Sequence, residues 1–286
     1  MNKGKHAAKT TRLGPIRTAS SHSSVMLSAM EFSLTTLNLY GPNDWKNRKP
    51  KIIKYLRGLQ SDVVVLQEVV SSKKISRDCN TAQIINQALG YQTEASTVKR
   101  PIDDRVYGHF DEGLAILSKH PLIREPVIVD PIQAPGDPHT RFMQMAGLAI
   151  GSWAVWLRHL HASLLKPGPD FATAHIRQAF AYQAKHGEND ILVGDFQRDD
   201  VGNAIPEWAN QYVASTDGRS DITQPDAIGD EGVLEDRCPD QAWAPRSHYQ
   251  FTGGVALSPR GLSDHLGATF TLQTIGHLRL AIGIKL

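Results

Sequence analysis

The sequence has few cysteines and lacks a long apolar run. Cys79 and Cys238 lie far apart and neither belongs to a CxxC pair, which argues against a disulfide framework or a cysteine zinc site and predicts two free thiols. The densest apolar stretch, residues 63–66, has the length of a strand, whereas a helix that spans a bilayer needs about 20 apolar residues. We therefore expect no transmembrane segment.

Acidic residues are absent from the first 30 positions, which carry five lysines and arginines. This segment has no hydrophobic period and no apolar core of the kind found in a secretory signal, so we predict a disordered basic tail over residues 1–30. We expect a plain tail on a cytoplasmic protein. The alternative is that these residues form an organelle-targeting peptide. Of the 31 lysines and arginines, 26 lie in the remaining residues against 29 acids, so the body has no net basic charge that would indicate nucleic acid.

From residue 31 onward, strand-like and helix-like patterns follow one another without a repeat or a linker. We predict a single domain over residues 31–286, with an α/β (α+β) fold. Two mixed, mainly antiparallel sheets would pack face to face with helices outside, as a four-layered αββα sandwich. Apolar spacing predicts helices over residues 47–59, 80–89 and 170–186, and strands over residues 32–39, 62–66, 91–98, 112–117, 124–129, 142–149, 153–160, 190–193, 240–244, 248–257 and 268–273.

Five motifs place polar or acidic residues beside these strand-like runs. A carboxylate after a strand is usually a solvated loop residue or a helix cap, so each motif alone is weak. Together, carboxylates and histidines at several strand ends can converge on one rim, as in metal sites built from oxygen ligands. The motifs are Leu37-Asn38-Leu39, Leu66-Gln67-Glu68-Val69, the run EGLAILSKHP from Glu112 to Pro121, Ile191-Leu192-Val193-Gly194-Asp195-Phe196 and Leu262-Ser263-Asp264-His265.

In this order the motifs resemble the signature of the endonuclease/exonuclease/phosphatase superfamily, over about residues 31–273. The superfamily includes DNases, abasic-site endonucleases, deadenylases, neutral sphingomyelinases and inositol polyphosphate phosphatases. The resemblance implies a Mg²⁺-dependent hydrolase, with Mn²⁺ as the alternative, that cleaves phosphodiesters by in-line attack of water, with nucleic acid as the first substrate to consider.

The same resemblance suggests roles for individual residues. Glu68, Asn38 and Asp264 are expected to serve the metal, because Mg²⁺ prefers oxygen ligands and keeps several waters. Asp195 is expected to activate the water, and His265 to bind or protonate the phosphate.

Two assignments stay open. His159 and His161 point to the same face of a strand, so alternation does not choose between them; the His-Leu-x-Ala frame favours His159 as the catalytic histidine. For the acid that orients His265, Asp240 competes with His248, and we favour Asp240 because an imidazole is a poor partner for an imidazole that must become cationic.

Gln197 departs from the family pattern, in which an asparagine follows Gly-Asp-Phe. The longer glutamine either reaches the phosphate from a shifted backbone or misses it, so it puts catalytic efficiency in doubt. Arg141 and Tyr107 are weighed as substrate contacts against ordinary surface or structural roles. The alternative functions are a sphingomyelinase-like enzyme, which would bind a phospholipid head group, and a degenerate phosphate-binding homologue.

Overall fold

A computed structural model describes residues 29–123, 128–163, 170–186, 189–216, 224–228, 234–253 and 255–275. The predicted tail lies outside these ranges except for its last two residues. The beginning of the predicted strand 124–129 and the final residues 276–286 also lie outside them. None of the described helices has the length and apolar character needed to cross a membrane.

The elements follow the predicted alternation. The helices are α1 (Trp45–Leu59), α2 (Thr81–Leu89), α3 (Phe171–His186) and the short α4 (Val201–Ala204). The strands are β1 (Glu31–Asn38), β2 (Val63–Ser71), β3 (Thr93–Asp104), β4 (Gly108–Ser118), β5 (Ile128–Ile132), β6 (Arg141–Ile150), β7 (Trp153–His161), β8 (Ile191–Asp195), β9 (Tyr212–Ala214), β10 (Gln224–Ile228), β11 (Leu234–Arg237), β12 (Asp240–Pro245), β13 (Tyr249–Phe251), β14 (Ala256–Leu257) and β15 (Ala268–Thr274).

The strands form two large sheets and a small ribbon. The first sheet has the order β13-β15-β1-β2-β4-β3, with β14 also paired to β15, and the second has the order β5-β6-β7-β8-β12-β9. The ribbon joins β10 to β11. The pairs β1/β2 and β7/β8 are parallel, and the other pairs within the two sheets are antiparallel.

Three apolar clusters hold the layers together. The central cluster lies between the sheets and joins side chains such as Phe32 and Val63 of the first to Leu148 and Val193 of the second. A second cluster packs α1 and α2 on the outside of the first sheet, and a third packs α3 and α4 on the outside of the second. Burial of apolar surface on both faces of each sheet explains runs such as the buried start of β2. The predicted four-layered sandwich is confirmed.

The termini of α2 show how local sequence sets these elements. Asn80 caps the helix by accepting a hydrogen bond from the backbone of Gln83, whose side chain accepts one from the backbone of Asn80, and this reciprocal pair satisfies two free N–H groups. Gly90 ends the helix in the left-handed conformation. Residues 248–257 do not form the predicted single strand. Strand β13 ends before Gly253, and strand pairing resumes only at β14.

Candidate active site

The candidate site lies where the carboxyl ends of the two parallel strand pairs face each other. Parallel strands end at the same edge of a sheet, so β1 and β2 bring Asn38 close to Glu68, while β7 and β8 pair His161 with Asp195. Asn38 Nδ2 donates to Glu68 Oε1 at 3.2 Å and to Asp195 Oδ2 at 3.1 Å. This amide therefore joins the first sheet to the second at the centre of the site.

A β-bulge places Glu68. Two residues of β2, Gln67 and Glu68, stand opposite a single residue of β4, and Glu68 has a positive φ of 53°. Such bulges turn a side chain out of the regular alternation. Burial raises the pKa of Glu68 to about 8, and the nearby carboxylates of Glu112 and Asp264 add to this effect. Carboxylate oxygens are the type of donor that a hard divalent cation prefers.

Arg48 of α1 holds the loop that carries Asp264. Its buried guanidinium donates from Nη1 to the carbonyl oxygens of Leu39, at 2.7 Å, and of Leu262, at 2.8 Å. These contacts tie the end of β1 to the loop before Asp264, which is itself exposed. This role was not predictable from the sequence, because nothing in the helical pattern separates Arg48 from its exposed neighbours.

Asp195 is fully buried and surrounded by donors. Besides Asn38, the Gln197 backbone N–H donates to Oδ1 at 3.0 Å, and Gln197 Nε2 donates to Oδ2 at 2.7 Å. The preceding Gly194 has φ 140°, and a Cβ there would lie 2.0 Å from the carbonyl oxygen of Leu160. Only glycine fits this close approach of β8 to β7, which explains the Gly-Asp sequence.

Asp240 contacts His265, as the sequence analysis favoured. Its Oδ2 accepts a hydrogen bond from His265 Nδ1 at 2.7 Å, and Asp240 pairs with Asp195 across β12 and β8. Burial opposes the charged imidazole, but Asp240 and Asp195 outweigh it and raise the pKa of His265 to about 10. His248 lies beyond the opposite end of β12, and that end is roughly 20 Å from Asp240 at the rise per residue of a strand.

The two histidines of β7 occupy different environments. His161 Nε2 lies 3.6 Å from Asp195 Oδ2, and its Nδ1 lies 3.0 Å from Arg141 Nη1. His159 is completely buried between the sheets, where its Nε2 accepts a hydrogen bond from Gln67 Nε2 at 2.6 Å. Burial lowers the pKa of His159 to about 3, so this imidazole stays neutral. The geometry thus shifts the preference from His159 to His161.

Arg141 belongs to the site, in a small recess of about 20 Å³ beside His161. Its Nε donates to Ser163 Oγ at 3.3 Å, and its Nη1 lies 3.9 Å from Glu112 Oε1, which also binds Arg100 at 2.8 Å. Glu112 opens one of the five sequence motifs, although no role was predicted for it. No sequence signal pointed to Arg100, since its place depends on the pairing of β3 with β4.

A second group could hold a metal on geometry alone. Asp195, Asp240 and His265 each offer a ligand atom, and these atoms lie within 4.8 Å of one another. However, His265 Nδ1 is already hydrogen-bonded to Asp240 Oδ2 at 2.7 Å, and the Asp195 carboxylate already accepts three hydrogen bonds from Asn38 and Gln197. Glu68, Asp264 and Asn38 therefore stay the residues expected to serve the metal; Asn38 contacts Glu68 through Nδ2, and its Oδ1 accepts a hydrogen bond from the Tyr40 backbone at 2.9 Å.

Comparison with known proteins places this geometry in a family. A model of the Endonuclease/Exonuclease/phosphatase family matches residues 35–197, and no curated protein matches the sequence. The chain belongs to the endonuclease/exonuclease/phosphatase family, whose members are hydrolases.

Solved structures share the fold at low sequence identity. An endonuclease/exonuclease/phosphatase from Beutenbergia cavernae aligns with a TM-score of 0.71 and 17% identity, covering 86% of this chain and 72% of that chain. Truncated TDP2 from Caenorhabditis elegans gives 0.61 and 16%, over 86% and 98%. The mannosyl-6-phosphatase Bt3783 from Bacteroides thetaiotaomicron gives 0.59 and 14%, over 84% and 99%.

Proposed function

We propose that this protein hydrolyses phosphodiester bonds of nucleic acid with the help of Mg²⁺, or alternatively Mn²⁺. One observation carries the proposal. A buried carboxylate, Asp195, lies 3.6 Å from His161 Nε2 and 3.8 Å from His265 Nε2. Asn38 donates hydrogen bonds both to Asp195 and to Glu68. This arrangement can bind a cation, accept a proton and stabilise negative charge within one small volume.

Glu68 and Asp264 would hold the metal, and Asn38 would help by fixing Glu68 through the hydrogen bond from its Nδ2. When bound, the cation supplies a Lewis acid that polarises a phosphate oxygen and offsets negative charge in the transition state. Burial, and after it the charges of Glu112 and Asp264, raise the pKa of Glu68, and a bound cation would offset both effects.

Asp195 would take the proton of the attacking water. Its carboxylate is fixed by three N–H donors, two from Gln197 and one from Asn38, so it is oriented before the substrate binds. His265 would face the phosphate as a cation. Its Nδ1–H is committed to Asp240, which leaves Nε2–H, 3.8 Å from Asp195 Oδ2, directed into the site.

His161 and Arg141 would stabilise the opposite side of the phosphate. Burial and the Arg141 charge both lower the pKa of His161, so His161 acts as a neutral hydrogen-bond partner. The guanidinium of Arg141 carries the positive charge and offers a planar set of donors that matches phosphate oxygens. On this geometry His161 takes the catalytic place first given to His159.

A substrate panel tests the proposal. Plasmid DNA, RNA and sphingomyelin are incubated with Mg²⁺, with Mn²⁺ and with EDTA. We expect cleavage of nucleic acid that EDTA abolishes and added metal restores. Turnover of sphingomyelin alone would favour the lipid alternative, and nucleic-acid cleavage undiminished by EDTA would refute the metal role.

A single substitution tests the metal ligand. Glu68→Gln should abolish turnover while the melting temperature stays within a few degrees or rises, because a neutral amide removes a buried, repelled charge. Glu207→Gln, on the exposed Arg177 pair, is the matched control and should keep full activity. Full activity of Glu68→Gln would remove Glu68 from the mechanism.

A further inference from the structure

A basic cleft lies beside the candidate active site. It consists of two adjoining depressions of about 870 and 570 Å³, which share Lys74, Arg77, Asp78 and Tyr107. The walls come from the start of α1, the segment between β2 and α2, and the turn between β3 and β4. We call this feature the lysine cleft; its cationic residues are Lys46, Lys49, Lys73, Lys74 and Arg77.

The charge of the lysine cleft is opposite to that of the protein body. Five cations line it against three carboxylates, Asp44, Asp78 and Asp111, whereas residues outside the first 30 carry more acids than bases. Within the described part of the chain, none of the five cations forms an ion pair with a carboxylate. Cations collected in a concave surface without partners raise the local concentration of a polyanion.

The lysine cleft has an ordered frame. Ser76 Oγ accepts a hydrogen bond from the Ser72 backbone at 3.0 Å, and the Ser76 backbone N–H donates to the Ser72 carbonyl at 2.9 Å. Arg77 then adopts a positive φ of 58°, a conformation that is uncommon for a residue other than glycine. The exposed side chains of Lys73, Lys74 and Arg77 therefore leave a hydrogen-bonded turn, so little backbone freedom is lost when they bind a ligand.

The lysine cleft begins close to Glu68. Gly41 lies against Glu68, since a Cβ on Gly41 would be 3.4 Å from Glu68 Oε2, and the next residue, Pro42, lines the cleft. On the other wall of the cleft, Ser71 follows Glu68 by three residues in β2 and pairs with Asp111 of β4. Three residues of strand span about 10 Å, which corresponds to roughly three steps of a nucleic-acid strand.

From this placement we infer that the lysine cleft binds the phosphate backbone of a nucleic-acid strand, on one side of the bond that the site cleaves. Lys73, Lys74 and Arg77 contact successive phosphates, and the half-buried Tyr107 offers a ring for stacking of a sugar or a base. A recessed cleft favours a chain-like polyanion over a flat lipid surface. The inference rests on the proposed function and narrows its substrate to polymers.

Binding is tested without turnover. Fluorescence anisotropy of a labelled single-stranded 30-nucleotide DNA is measured in EDTA for the wild type, for the triple variant Lys73→Gln/Lys74→Gln/Arg77→Gln, and for a control triple variant. The control, Lys51→Gln/Lys54→Gln/Lys185→Gln, changes the net charge equally at exposed positions outside the cleft. The cleft variant should bind about tenfold more weakly or worse, and the slope of log K against log salt should fall by about 2, for three lost phosphate contacts.

Turnover separates this inference from the proposed function. On bis(p-nitrophenyl) phosphate, which is too short to reach the cleft, both triple variants should retain the wild-type kcat and KM, while KM on the 30-nucleotide DNA should rise only for the cleft variant. Equal weakening of DNA binding in both triple variants, or a cleft variant that loses affinity for sphingomyelin vesicles but not for DNA, would overturn the inference. If no substrate is turned over but the cleft variant still binds DNA more weakly than the control variant, the proposed function alone is refuted.

Discussion

His161 and His159 lie two residues apart on one face of β7, yet the structure predicts opposite consequences when each is replaced by glutamine. His161 contacts Asp195 and Arg141 in the site, whereas His159 is buried against Gln67 between the sheets. His161→Gln should lower kcat by about 10²–10³-fold, the usual loss when a positioned acid–base or charge-stabilising group is removed. Its melting temperature should change little, because His161 lies at the rim of the recess.

His159→Gln should reduce stability instead. Glutamine can present its amide oxygen to Gln67, but its NH₂ group brings two donors into the core where the neutral imidazole has one. One more buried donor is then left without an acceptor. A buried polar group without its partner costs about 1–3 kcal/mol, and for a domain of this size each kcal/mol lowers the melting temperature by roughly 2–4 °C. We expect a drop of roughly 5 °C with kcat reduced less than about tenfold.

The assay combines steady-state kcat and KM on the best substrate with thermal unfolding of the same protein samples. The prediction is a crossover, in which one variant loses activity and the other loses stability. If His159→Gln lost the greater part of kcat at an unchanged melting temperature, the catalytic role would return to His159. Equal losses of kcat would mean that the core and the site are not separated as the structure indicates.

Three further outcomes follow from the same contacts. Asp240→Asn should misorient His265 and lower kcat by about 10²-fold, whereas His248→Gln should have no effect. The reverse result would return the role of orienting His265 to His248. Gln197→Asn should lower kcat about tenfold, because the shorter amide withdraws from Asp195, and a rise in kcat would show that Gln197 is a handicap. Burial lowers the pKa of His175 to about 4, so below pH 6.5 the unfolded chain takes up a proton that the folded protein resists. The unfolding free energy should therefore fall as the pH is lowered from 6.5 to 4, and it should fall less steeply in His175→Gln. Denaturant unfolding at several pH values measures this, and the same pH dependence in both proteins would contradict the prediction.

Much of the fold was predictable because the sandwich repeats simple patterns. The apolar runs before Glu68 and Asp195 are buried on both faces, and such runs indicate central strands wherever they occur. The predicted helices begin and end within two residues of the observed ones; for α2 the reason is local, since Asn80 and Gly90 cap it. Strands β9 to β11 were not predicted, because each has only three to five residues and so short a segment shows little periodicity.

The candidate site was less predictable where it depends on register. Alternation gave His159 and His161 the same face, and only the parallel pairing of His161 with Asp195 brings His161 to the rim. Likewise Arg48 and Arg141 act through contacts to residues far away in the sequence. Periodicity carries no information about such contacts.

The division of the site between two sheets gives a further reason for the buried polar residues in the core. Apolar packing holds the sheets together but does not fix how one slides over the other, because the hydrophobic effect is not directional. Hydrogen bonds across the interface are directional, and breaking one inside the core is costly. A shift of about 1 Å between sheets would separate Asn38 from Asp195, which is enough to reduce turnover about 10²-fold. We therefore interpret the hydrogen bonds that cross between the sheets as the contacts that hold the two halves of the site in register. Among the described residues they include Asn38–Asp195, Gln67–His159, Gln144–Ala95 and Gln144–Thr97.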